Sequence, residues 1–276
     1  MSLLALAVTG RGVVDPDEPV LHADDEALLR GRAAFETLRV YGGRPFRLEA
    51  HLDRLEASAA RIGLAAIPQE ELARTAGEAL AAAGRPEVVL RLLWTAGREG
   101  GSPVGLALVS PIPSWIEDAR ARGIRLVPLL GVRASAPWLL GGVKSTSYAV
   151  NAAADAEAKR RGADDAVFVD AGGTVLEGTV SNVWWREGSM LLTPSLDLGV
   201  LAGVTRAALL ELAPGLGYGV EEGVFPLERM AAAEEAFTSS SVREVLPVVE
   251  LGGRPMARGD AAARLQRALR DLAGVP

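Results

Sequence analysis

The chain contains no cysteine, which excludes disulfides, cysteine-ligated zinc and thiol nucleophiles. Its only histidines, His22 and His51, are too few and too far apart to build a histidine metal site. Positive charge is nowhere clustered and the formal net charge is −6, so nucleic acid is not an expected partner. The most apolar stretch near the N-terminus, Leu3–Val8, lacks the basic leader of a signal peptide and the length of a membrane span. It is expected as the first buried strand of a cytoplasmic protein. Lysine is the sharpest deficit. Of 29 basic residues, only Lys144 and Lys159 are lysines.

The two lysines sit in different surroundings. Lys159 belongs to the charged run Glu157-Ala158-Lys159-Arg160-Arg161, which reads as a solvated helix face. Lys144 belongs to Gly141-Gly142-Val143-Lys144-Ser145-Thr146-Ser147-Tyr148, a segment with no other charge. Arginine stays protonated in proteins, whereas a lysine in a dry pocket can be neutral and nucleophilic. The chemistry that most often needs such an amine is a Schiff base to a carbonyl or to pyridoxal phosphate (PLP). A surface lysine without chemical purpose accounts for the same residue, and the position alone leaves both readings open.

At 276 residues, with 49% apolar and 23% charged side chains, the chain is long enough for two globular domains or one large one. Ala34–Tyr41 is β-branched and aromatic-rich and ends in Gly42-Gly43, a hairpin signal. A helix follows with Leu52, Leu55, Ala59 and Ile62 as its apolar stripe, and His51, Arg54 and Ser58 on the neighbouring stripe. A second helix is expected over 70–83, then strands over 88–95 and 105–109. Pro111-Ile112-Pro113 forbids regular pairing, so the boundary is expected near 111–123, with domains at 1–115 and 124–276 and a linker at 116–123. Beyond it the pattern predicts strands at 125–130, 166–170, 175–177, 180–185 and 236–241. Helices are predicted near 149–161, 206–212 and 260–272. Interspersed strands and helices with many antiparallel pairings give an α/β class without the repeating βαβ of a dinucleotide-binding domain.

Several short clusters carry chemical potential. Gly203-Val204-Thr205 before an apolar helix offers backbone N–H groups and a hydroxyl at a positive dipole end, which suits a phosphate. An ordinary threonine N-cap is the commoner use of that pattern. Ser239-Ser240-Ser241 ends a strand with several hydroxyl donors, as a phosphate contact or as a polar turn. Arg54 suits bidentate phosphate binding or simple solvation. Glu177, between Leu176 and the small polar run Gly178-Thr179-Val180-Ser181-Asn182, is either a buried acid or a turn carboxylate. No nucleophile elbow or Walker loop is present, and hydrolase triads have little support.

Taken in order, these clusters resemble the fold-type IV (class IV) PLP-dependent aminotransferases. The resemblance rests on Phe35-Glu36-Thr37-Leu38, His51-Leu52-Asp53-Arg54-Leu55, Lys144-Ser145-Thr146, Glu177 through Asn182, Gly203-Val204-Thr205-Arg206, and Thr238 through Ser241 with Pro247-Val248. It spans nearly the whole chain. It implies a small N-terminal α/β domain, a larger C-terminal pseudo-barrel α/β domain, PLP between them and a homodimer. It implies that Lys144 is the Schiff-base lysine and moves the proton between substrate Cα and cofactor C4′. Glu177 then pairs with the pyridine nitrogen, and Arg54, Val204, Thr205, Ser240 and Ser241 hold the phosphate. Phe35, Thr37 and Arg98 are the implied substrate contacts.

Within the family, Glu244-Val245-Leu246-Pro247-Val248 looks most like the D-amino-acid aminotransferases. Two positions depart from that group. Phe35 stands where those enzymes carry tyrosine, and Arg98 is displaced in a loop that has no histidine. The expected activity is transfer of an amino group from a D-amino acid, with (R)-amines as further donors, to an α-keto acid. The alternative is 4-amino-4-deoxychorismate lyase, which releases pyruvate and 4-aminobenzoate from related chemistry.

Overall fold

The computed structural model describes residues 3–131 and 140–275. The chain divides into two compact units. The first gathers Met1–Pro113, Val143–Tyr148 and Ala273–Val275, and the second Ser114–Gly142 and Ala149–Leu272.

The first unit is built from β1 (Ala5–Val8), β2 (Gly12–Val14), α1 (Glu26–Arg30), β3 (Ala33–Tyr41), β4 (Arg44–Pro45), α2 (Leu48–Arg61), α3 (Gln69–Ala83), β5 (Val88–Thr95) and β6 (Gly105–Ser110). The strands form one antiparallel sheet in the order β2-β1-β6-β5-β3-β4. Gly42 and Gly43, at φ 54° and 79°, make the two-residue turn that pairs Tyr41 with Arg44. That conformation needs positive φ at both positions, which explains the glycine pair. Alternation along β3 places Ala34, Leu38 and Val40 in a core completed by Leu52, Leu55 and Ala59 of α2 and by Leu72, Ala76 and Ala79 of α3. Glu36 lies on the same face of the strand and is fully buried there.

The second unit contains α4 (Trp115–Arg122), β7 (Ile124–Leu130), α5 (Ala149–Arg160), β8 (Asp165–Val169), β9 (Val175–Gly178), β10 (Asn182–Glu187), β11 (Met190–Pro194), α6 (Val204–Leu212), β12 (Gly219–Gly223), α7 (Leu227–Ala231), β13 (Glu235–Ser240), β14 (Glu244–Leu251), β15 (Arg254–Pro255) and α8 (Ala261–Leu272). Its sheet runs β12-β11-β10-β13-β14-β7-β8-β9, with β15 added to β14. Pairing is parallel at β11–β12, β14–β7 and β7–β8. The two ends of the sheet are tied by a bridge between Thr174 and Pro226, with Val175 donating to the Phe225 carbonyl at 2.9 Å and Leu227 to that of Gly173 at 3.0 Å. This closure gives the expected pseudo-barrel, and closing a sheet removes exposed edges. Its core packs Val183, Trp185, Leu192, Phe225, Met230 and Leu246, with the Trp185 and Phe225 rings edge to face at 5.1 Å.

Several elements differ from the sequence expectation. Residues 116–123, read as a linker, lie in or next to α4, which is anchored by buried Ile116 and Ala119. The strand expected from Val180 begins at Asn182, because Gly178 donates to the Ser181 carbonyl at 2.7 Å and folds the intervening residues into a turn. Strand β12, Gly-Val-Glu-Glu-Gly, shows no apolar signal; it is largely exposed, with little buried surface to record in its composition.

Candidate active site

In the first unit, the segment carrying Lys144 lies along the start of β3. Ser145 bridges Ala34, Phe35 donates to the Lys144 carbonyl at 3.0 Å, and Thr146 donates to the Ala33 carbonyl at 2.9 Å. The Lys144 amide is fixed from the other side by Ser58 Oγ of α2 at 3.2 Å. Backbone bonds on two sides therefore hold Lys144, which is half-buried. Its Nζ lies 4.4 Å from the centroid of the Phe35 ring, and Tyr148 meets that ring edge to face at 5.6 Å. The ring faces the amine at cation–π distance, which fixes where the Nζ lies. Gly31 allows the approach of this segment: a Cβ there would lie 2.5 Å from Ser147 Oγ.

Phe35 and Thr37 occupy the face of β3 opposite the core, and the strand register sets Arg91 of β5 directly across from Thr37. Arg91 Nε donates to Thr37 Oγ1 at 3.3 Å, and its guanidinium lies 5.8 Å from the Phe35 ring centroid. Arg98, an implied substrate contact displaced in its loop, pairs with Asp24 at 2.8 Å and is half exposed, with 53% of its side chain accessible. Its hydrogen bond holds the Asp24 carboxyl below the usual range. Arg91 was missed in the sequence because only strand register brings it to Thr37.

Arg54 turns toward β3. Its Nε and Nη2 donate to the two oxygens of Glu36 at 2.7 and 2.6 Å, and His51 Nδ1 lies 2.7 Å from Glu36 Oε2. Burial pushes the Glu36 carboxyl up, but the hydrogen bonds from His51 and Arg54 outweigh it and hold the group at about 2. Burial pushes the His51 imidazole down, against the pull of Glu36.

The second unit contains the remaining expected residues. Glu177 sits near the end of β9, buried, and its Oε2 accepts the Leu201 amide at 2.9 Å. Asn182 donates to the Leu201 carbonyl at 2.9 Å, so the loop leading into α6 is held from both sides. Gly203 caps α6 without a side chain, and a Cβ there would lie 2.1 Å from Asn182 Oδ1. Thr205 is inside the helix rather than at its cap, which removes the N-cap explanation for its hydroxyl. Val204 and Thr205 are both buried in the first turn.

Of the serine run, Ser239 is occupied structurally, accepting from Trp184 Nε1 at 2.9 Å. Ser240 and Ser241 are half-buried at the β13–β14 turn. Arg243 of that turn donates to Asp165 Oδ2 at 2.5 Å, and Asp165 Oδ1 accepts Thr179 Oγ1 at 2.5 Å. Asp165 therefore ties the loop after Glu177 to the serine turn. Glu244, in a left-handed conformation at φ 56°, is fully buried among Arg120, Gln266 and Arg270. Among the described residues no cluster suits a metal ion, and no helix is long and apolar enough to cross a membrane.

An amine against an aromatic ring, a buried carboxylate and a glycine-started helix are groups of the kind that PLP requires: an imine-forming nitrogen, an acceptor for the pyridinium N–H and amides for a phosphate. Comparison with known proteins agrees. A family model described as amino-transferase class IV matches residues 33–251. The bifunctional aminodeoxychorismate lyase / D-amino acid transaminase of Mycobacterium tuberculosis is 37% identical over 89% of this chain and 91% of its own. The aminodeoxychorismate lyase of Bacillus subtilis is 30% identical over 88% and 85%. The PLP-bound structure of a hypothetical aminotransferase from Mycobacterium tuberculosis superimposes with a TM-score of 0.90 at 35% identity, covering 98% of both chains. With this match across most of its length, the chain belongs to the class IV aminotransferases, enzymes that use pyridoxal phosphate.

Proposed function

We propose that this enzyme transfers an amino group from a D-amino acid, with (R)-amines as further donors, to an α-keto acid. The observation that carries the reading is the grouping of Lys144 Nζ and the Arg91 guanidinium at the Phe35 ring, with Thr37 beside Arg91. It supplies an amine from a segment bridged to β3 and a cationic ligand for a carboxylate from the adjoining strand β5. Bound PLP supplies an electron sink for the charge left when the substrate Cα loses its proton. In this reading Lys144 holds the cofactor covalently and moves the proton between the substrate Cα and C4′. Glu177 keeps the pyridine nitrogen protonated. Arg54, the Val204 and Thr205 amides of α6, and Ser240 and Ser241 take the phosphate, a role suited to a helix N-terminus and to hydroxyl donors.

The reading includes a cytoplasmic homodimer, for which adjacent exposed Leu28 and Leu29 on α1 offer apolar contact surface. The second reading, lyase activity on aminodeoxychorismate, is favoured by the names of the two relatives above. One experiment separates them. A D-amino acid alone should bleach the visible absorption of the holo-enzyme, and an α-keto acid should restore it. Pyruvate release from aminodeoxychorismate, with no bleaching by any amino donor, would replace transaminase with lyase.

A further inference from the structure

We infer that Glu36 is the positioning residue of Arg54, fixing its guanidinium in one orientation for a phosphate dianion. The inference rests on the reading of Arg54 as a phosphate ligand. Glu36 occupies a core-facing position of β3 whose neighbours on that face, Ala34 and Leu38, are buried and apolar. An ionised carboxylate there is costly unless it is paired and hydrogen-bonded, and an apolar residue would serve the fold as well. Its two oxygens grip the Arg54 fork at Nε and Nη2, at 2.7 and 2.6 Å, which sets the plane of the guanidinium as well as its place. One turn earlier on α2, His51 braces Glu36 Oε2 through Nδ1 at 2.7 Å. His51 is fully buried, and its Nε2 has no hydrogen-bond partner among the described residues. A polar cluster with an unsatisfied atom is a poor way to stabilise a core. It is a good way to hold an arginine still.

The consequence is a matter of preorganisation. A long cationic side chain that must be immobilised on binding lowers affinity; one already immobilised does not. Arg54 is only 12% exposed and has its direction set by Glu36 before any ligand arrives. The charge of Glu36 has the opposite effect, since a carboxylate beside the site repels a phosphate. The two effects predict opposite signs for Glu36→Gln, which keeps the shape and removes the charge and part of the grip.

The test measures the affinities of the apo-enzyme for PLP and for pyridoxal, which lacks the phosphate, in wild type, Glu36→Gln and Arg54→Ala. Arg54→Ala should lose most of the preference for PLP over pyridoxal. Glu36→Gln should lower that preference about five- to tenfold while leaving pyridoxal affinity unchanged, a pattern that general loosening of the fold does not give. An unchanged or greater preference in Glu36→Gln, with the loss retained in Arg54→Ala, overturns the positioning role alone. Full preference in Arg54→Ala overturns the phosphate role of Arg54 and this inference with it. Should Glu36→Gln not fold, the Arg54 Nε–H resonance of the wild-type apo-enzyme decides. A protected signal before and after addition of inorganic phosphate supports the role, and a signal protected only with phosphate present overturns it.

Discussion

Lys144 Nζ and the guanidinium of Arg91 flank one aromatic ring, at 4.4 and 5.8 Å from the centroid of Phe35. The amine proposed to react and a cation able to bind a carboxylate are thereby placed by two adjacent strands and one bridged segment. Arg98 is turned away to Asp24. Arg91→Ala should raise KM for D-amino acids about 10- to 100-fold, the loss of a charge-assisted hydrogen bond, and should spare (R)-amines. Arg98→Ala should leave both within about twofold, since exposed ion pairs contribute little. Steady-state kinetics with paired donors checks this, and the reverse pattern would return the role to Arg98.

Borohydride treatment of the holo-enzyme should fix the cofactor on the peptide containing Lys144. Lys159, the only other lysine, is exposed and paired with Asp155 four residues away on α5. Peptide mapping by mass spectrometry decides, and label on Lys159 would remove Lys144 from its proposed role.

Asp165 joins two loops of the second unit through Thr179 and Arg243 while only 1% exposed. Asp165→Asn leaves Arg243 without its carboxylate and should destabilise the protein by about 2–4 kcal/mol. Because both loops carry proposed cofactor ligands, PLP affinity should fall as well. Urea unfolding with and without PLP measures the two effects, and an unaltered midpoint in both conditions would show that the bridge is dispensable.

Acid should reveal the Glu36 pair. The hydrogen bonds from His51 and Arg54 hold its carboxyl at about 2 in the folded chain against an ordinary value of 4.5, so the folded state favours the ionised form. The stability this contributes, roughly 3 kcal/mol, is complete above about pH 4.5 and is lost as pH falls through about 2. The difference in unfolding free energy between wild type and Glu36→Gln should therefore shrink steadily across that window. A difference independent of pH would show that the carboxylate is not held ionised by Arg54 and His51.

Much of this enzyme was legible in its residues. The scarcity of lysine singled out Lys144, Gly42-Gly43 marked a turn that needs positive φ at two positions, and the stripe Leu52, Leu55, Ala59 located the buried face of α2. These features are local: a backbone conformation, a helical period and a residue type each leave their record within a few positions. Partners were not legible. Glu36 and Arg54 are 18 residues apart, Thr37 and Arg91 are 54 apart, and Asp165 and Arg243 are 78 apart. Arg54 read equally as a solvated helix residue until β3 placed a buried carboxylate against it, and the pairing of the displaced Arg98 with Asp24 left no mark in the sequence. The type of each side chain was determined by the sequence alone. Which charge it would meet was decided by strand register and by the packing of α2 on the sheet, because an ion pair depends on distances of a few ångströms that only the assembled tertiary structure sets.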